Sequence, residues 1–138
     1  MDQLTTQMPK LPDSEKITIN LGYVDLGQID LLVQEGFYAN RTDLIRTAIR
    51  SQLDRHNDAV KKSVARHDLD LGMRHYSRRD LEAARSRGEV IHIQVLGLVA
   101  LAPDIDADLA RATIGSIRVL GALQAPAALK AALGDRIH

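Results

Sequence analysis

Cysteine and tryptophan are absent from the 138 residues, and aromatic side chains make up only 3% of them. Without cysteine there are no disulfides and no thiolate metal sites, which leaves a reducing cytoplasm as the expected compartment. Charge of one sign is also lacking, since 18 Lys and Arg balance 18 Asp and Glu. No global field would therefore draw in nucleic acid or a membrane. The first ten residues lack the basic-then-apolar order of a signal peptide. The longest uncharged apolar run, Val90 to Ala102, is too short to be a good membrane-spanning candidate. What remains is a chain 45% apolar, with a core to be built from Leu, Ile, Val and Ala. Its charge is distributed unevenly: residues 41–90 hold twelve Lys and Arg against eight Asp and Glu.

Along the chain the organisation changes several times. Residues 1–14 are polar, carry two prolines and show no period, as a mobile arm would. Residues 16–21, Lys-Ile-Thr-Ile-Asn-Leu, alternate strictly. A β-strand there turns Ile17, Ile19 and Leu21 to one side and Lys16, Thr18 and Asn20 to the other. A helical pattern follows with Leu26, Ile29, Leu32 and Val33 on one face, stopping at Gly36, and Asp25 is available to cap its start. A second helix begins with Asn40 as N-cap and Asp43 in its first turn. Leu44, Ile45, Ala48, Ile49 and Leu53 form its apolar stripe, and it can run on through Val60 and Val64. The charge-rich stretch approaching Gly72 loosens the pattern. Ser77 and Asp80 then make an S-x-x-D cap for a third helix ending at Gly88. The last fifty residues alternate apolar strand-like runs with short Ala-rich helices. The expected class is α+β, divided into an arm (1–14), a strand-helix-helix domain (15–66), a linker and third helix (67–88) and a strand-helix domain (89–138).

One strand and two short helices cannot bury a sufficient core alone. A second copy solves the problem by pairing the two strands antiparallel over interlocked helices. Ile17, Ile19, Leu21, Leu26, Ile29, Leu44, Ile45 and Ile49 then form the shared core. Lys16, Thr18 and Asn20 stand on the open face of a ribbon that fits the major groove of DNA, where such side chains hydrogen-bond base edges. In this strand, in the Gly36 turn and in the stretch Gly-Phe-Tyr-Ala-Asn-Arg-Thr-Asp-Leu-Ile-Arg-Thr-Ala-Ile-Arg (36–50), the sequence resembles the ribbon-helix-helix repressors of the CopG, Arc and MetJ superfamily. The resemblance covers roughly residues 15–56. It implies base reading by Lys16, Thr18 and Asn20, and a phosphate clamp at the N-terminus of the second helix, on Asn40, Arg41 and Thr42. Gly22 and Tyr23 depart from the family's usual Ser or Asp cap.

Other chemistry finds little support. Five histidines include no His-x-His; His67 and His75 stand eight apart across an expected loop, and His92 sits alone in an apolar strand. No metal site and no cofactor is expected. Asp104, Asp106 and Asp108 lack the glycine and glutamate of a calcium loop and read as carboxylates at a helix N-terminus. No nucleophilic grouping or phosphate-cradling glycine loop is present, so the chain is not expected to be an enzyme. Residues 93–103 and 117–126 share Ile-x-Val-Leu-Gly at an offset of 24 and both close on Ala-Pro. Two such units are too few to cover their own ends. Strands with exposed edges seek partners, so Ile91, Ile93, Val95 and Leu98 are expected in an interface joining dimers into tetramers or larger assemblies. The expected function is a homodimeric DNA-binding repressor. Its rivals are an antitoxin with a toxin partner and a DNA-anchored polymerising protein, and a small-molecule effector stays open.

Overall fold

A computed structural model describes residues 14–138. The arm expected over 1–14 therefore lies, except for Ser14, outside the described residues. The chain divides into two compact units, with the boundary between Leu53 and Asp54.

The first unit holds α1 (Tyr23–Gln34) and α2 (Arg41–Arg55). Gly22, in extended backbone, precedes α1 without any side-chain cap; Asp25 lies in the first turn and does not cap the helix. Asn40 starts α2 as its sequence position suggests: its Oδ1 accepts from the Asp43 N–H at 2.8 Å. Asp43 reaches back to accept from the Ala39 N–H at 2.9 Å. The helix does not continue through Val60. It stops before His56, whose φ of −100° and ψ of 11° leave the helical range, and α3 (Asn57–Arg66) begins anew.

The second unit carries its own core. Three parallel strands, β1 (Asp70–Tyr76), β2 (Ile91–Leu101) and β3 (Ile114–Gln124), lie side by side in sequence order. Each is followed by a short helix: α4 (Arg78–Ser86), α5 (Ala107–Thr113) and α6 (Ala127–Ala132). The strand-helix unit thus occurs three times, not twice, and the first copy occupies the stretch expected to be linker. His75 accordingly lies in a strand rather than a loop. Strand-to-helix turns are set by caps. Ser77 and Asp80 form a reciprocal capping box on α4, and Asp106 accepts from the Leu109 N–H at 2.7 Å to cap α5. The backbone N–H of Ser77 donates to the Asp80 carboxylate, and this bond holds Asp80 below the usual carboxylate range. Its stabilising effect is present above the ordinary Asp pKa and is lost as the pH falls through the lowered value.

Leu81, Ile93, Val95, Val99, Leu101, Leu109, Ile114, Ile117, Leu129 and Leu133 form one buried cluster. Thr113 is fully buried among them, its hydroxyl donating to the Leu109 carbonyl at 2.8 Å. Ile93 and Val95, expected in a subunit interface, are each only 1% exposed and belong to this core. Their burial within one chain leaves them no surface to offer a partner. Of the same set, Ile91 and Leu98 are half-buried.

A column of glycines crosses the sheet: Gly72 pairs with Gly97 and Gly97 with Gly121, each with φ between 125° and 140°. A Cβ built on Gly97 would meet the Gly72 carbonyl oxygen at 2.1 Å, and one on Gly121 would meet the Gly97 oxygen at 2.0 Å. Backbone of this hand is almost confined to glycine, and strain of this kind costs about 1–3 kcal/mol for other residues. Gly97→Ala should lose at least that much stability, because the clash adds to the strain. A urea titration of the intact protein followed by circular dichroism checks this; a midpoint unchanged from the parent would show that the column is not required. Val95→Glu, with an unpaired charge forced into the core, should unfold the second unit outright by the same measurement.

Candidate nucleic-acid interface

The chemistry expected at the ribbon lies in residues 14–22. This segment is neither helical nor paired with any strand of its own chain. Lys16, Thr18 and Asn20 are exposed, and so are the alternate residues: Ile17 is 73% exposed and Ile19 59%. Neither helix of the unit buries any residue. Among the expected core positions, Leu26, Ile29, Leu44 and Ile45 are half-buried, whereas Ile17, Ile19, Leu21 and Ile49 are exposed. The apolar residues on both sides of the strand-helix pattern thus remain uncovered within a single chain.

At the α1–α2 corner, Asn40 is occupied as a helix cap, which fixes where the first turn of α2 presents its backbone N–H groups. Arg41 and Thr42 open that turn, and a phosphate there would meet those N–H groups and the positive end of the helix dipole. The Arg41 side chain has a partner that its position in sequence did not suggest. Its Nε and Nη2 each donate to the Asp30 carboxylate at 2.8 Å, a bidentate pair linking α2 to α1. Hydrogen bonding to Arg41 holds the Asp30 carboxyl below its ordinary range and raises the Arg41 guanidinium. The pair therefore persists as the pH falls and is lost only below the ordinary Asp range. Both side chains are half-exposed, so a competing phosphate has access to the guanidinium.

Two further cations lie beside the segment that carries Lys16. Ser14, Glu15, Lys16, Arg46, Ile49 and Arg50 line one open concavity, which brings Arg46 and Arg50 of α2 to the level of Lys16. The signal for them was present as an i, i+4 pair of arginines flanking the apolar stripe of α2. Elsewhere, no group of His, Asp or Glu residues among the described residues is arranged to hold a metal ion. His92 has a local partner, with Nδ1 2.9 Å from the Ser116 hydroxyl.

An uncovered segment of alternating polar and apolar residues, a capped helix opening beside a glycine turn and a cluster of cations near that segment are the features expected of a DNA-binding strand-helix-helix unit. The chain belongs to the ribbon-helix-helix transcriptional regulator family, whose model matches residues 12–130. That match takes in most of the second unit as well as the first. The chain is also similar to a transcriptional regulator, CdrS, of Halobacterium salinarum, at 30% identity over 44 residues, which is 32% of this chain and 80% of that protein. No solved structure matches.

The Asp30–Arg41 pair separates two roles for Arg41. If Arg41 contacts phosphate, Asp30→Asn should tighten binding to all duplexes by removing a competing anion, and Arg41→Ala should weaken it and flatten its salt dependence. If Arg41 only braces the two helices, both variants should lose affinity together. Retardation assays over a salt series, on both variants, decide between them.

Proposed function

We propose that this regulator binds double-stranded DNA as a homodimer and represses transcription from the sites it occupies. The observation that carries the reading is the uncovered strand-helix-helix unit: its apolar strand face, together with Leu26, Ile29, Leu44, Ile45 and Ile49, has the amount and position of apolar surface that a second copy would cover. Antiparallel pairing of two such strands makes a ribbon whose outer face carries Lys16, Thr18 and Asn20 from each chain. A lysine donates to guanine O6 and N7, asparagine pairs bidentately with adenine, and threonine offers a hydroxyl and a methyl. The first turn of α2, with Asn40 as its cap and Arg41 and Thr42 within it, holds a phosphate on either side and sets the register of the ribbon in the groove. Arg46 and Arg50 add attraction for the backbone without reading sequence.

In this reading the second unit supplies self-association, which strengthens binding through linkage between chains rather than through new base contacts. An ordered core in that unit suits a rigid connection between chains.

The test starts from duplexes selected out of a random pool by the intact protein. Lys16, Thr18 and Asn20 changed together to alanine should leave the fold intact, since all three are exposed, and should abolish specific retardation. Each well-formed base contact is typically worth ~1–3 kcal/mol of discrimination. A folded triple variant that retards the selected duplexes like the parent would remove the ribbon as the reader. Arg46→Ala with Arg50→Ala should weaken selected and unselected duplexes equally and lower the salt slope.

A further inference from the structure

The sheet of the second unit has two faces, and its helices cover only one. Along β2 the buried residues Ile93, Val95, Val99 and Leu101 alternate with Gln94, Leu96 and Leu98, which are half-buried; Ala100, at the end of the same second face, is buried. Strand register stacks these second-face residues into rows: Leu71, Leu96 and Leu120 make one, and Met73, Leu98 and Ala122 the next. Leu71, Met73 and Leu120 are at least half exposed, at 67%, 64% and 50%. Two adjoining apolar rows on one side of a sheet form a continuous patch. Natural proteins seldom leave such a patch uncovered unless something binds it.

We infer that this open face docks against the same face of the second chain in the ribbon-linked dimer. The inference rests on the homodimer proposed above. Two features of the face select the partner. The first is size: three strands and seven paired residues give a footprint of roughly 14 Å by 23 Å, on the order of 300 Å². Independent partners usually need about 800 Å² each. The face is therefore too small to hold free chains together, yet large enough for two copies already tethered, for which the effective concentration reaches the millimolar range. The second is charge. Among residues of these three strands on the open side, Arg118 is the one Lys, Arg, Asp or Glu, and it lies at one end, level with Gln94. A two-fold axis through the Leu96 region puts the two Arg118 side chains at opposite ends, so the apolar rows meet without like charges opposed. Ile93 and Val95 then support the interface from behind without entering it.

The lack of cysteine makes the test clean, because each introduced thiol is unique. Leu96→Cys and Leu98→Cys place one on the open face, and Arg85→Cys places one on the exposed side of α4 as a control. Each full-length variant is treated with a short bis-maleimide, and the products are sized by denaturing gel and by light scattering. The face variants should cross-link to two chains at least ten times faster than the control, at a rate independent of protein concentration. Met73→Glu placed in the Leu98→Cys background should reduce that rate to the control's, while β-sheet circular dichroism is retained because Met73 is exposed. Cross-linking that rises with concentration and yields particles of four chains would overturn the inference in favour of contacts between dimers. Equal rates at the face and at α4, or no cross-link in particles of two chains, would overturn it as well. Retardation of selected duplexes by the same variants reports separately on DNA binding. Loss of the cross-link with DNA binding intact therefore removes the docking face and leaves the proposed function standing.

Discussion

Uncovered apolar surface in the first unit is the constraint on which the remaining organisation depends. Its two helices bury no residue, and the extended segment before them pairs with no strand of its own chain. Fixing a backbone costs about 1–2 kcal/mol per residue in conformational entropy, which only burial on a sufficient scale offsets. Forty residues with half-buried Leu26, Ile29, Leu44 and Ile45 do not reach that scale. In the proposed homodimer, folding of this unit would be coupled to the presence of a second copy. The event that completes the core would also bring two strands together and turn two Lys16, Thr18 and Asn20 sets to one side, so that core formation and construction of the proposed reading surface become a single step.

The second unit obeys a different economy. Three strand-helix units stack in register, and the glycine column lets neighbouring backbones approach where a Cβ would collide. One side of the sheet is closed by α4, α5 and α6 with Leu81, Leu109 and Leu129. The β3 edge is partly covered too: Ile137 bridges to Ile117, and Arg136 donates to the Ile114 carbonyl at 2.7 Å. Arg111 holds the neighbouring turn through Asp135, at 2.9 Å. What stays open is the apolar second face and the edge of β1.

Much of this was legible in the residues, and the exceptions have physical causes. The caps at Asn40, Ser77 and Asp106 were readable because a side-chain acceptor followed at fixed spacing by an acidic residue or a free N–H has few alternative meanings. The first strand-helix unit was not read, since β1 carries Asp70, Arg74 and His75 and is mostly exposed; only Leu71-Gly72 repeats the pattern of Leu96-Gly97 and Leu120-Gly121. Which face of β2 enters the core was not legible for the opposite reason. Val90 to Ala102 is apolar on both sides, so alternation could not tell Ile93 and Val95, which fill the core, from Leu96 and Leu98, which do not. For Arg41, the sequence contains both it and Asp30, but pairing across a turn eleven residues apart is visible only once α1 and α2 are placed.

Hydrogen exchange measured across a dilution series of the intact protein tests the central claim most directly, because it reports on both units in one sample. If the first unit folds only with a second copy, amide protection in Tyr23–Gln34 and Arg41–Arg55 falls as the protein is diluted, while protection in Ile91–Leu101, whose core lies within one chain, stays high. Protection of the two helices that is independent of concentration, down to dilutions where light scattering finds single chains, would contradict it.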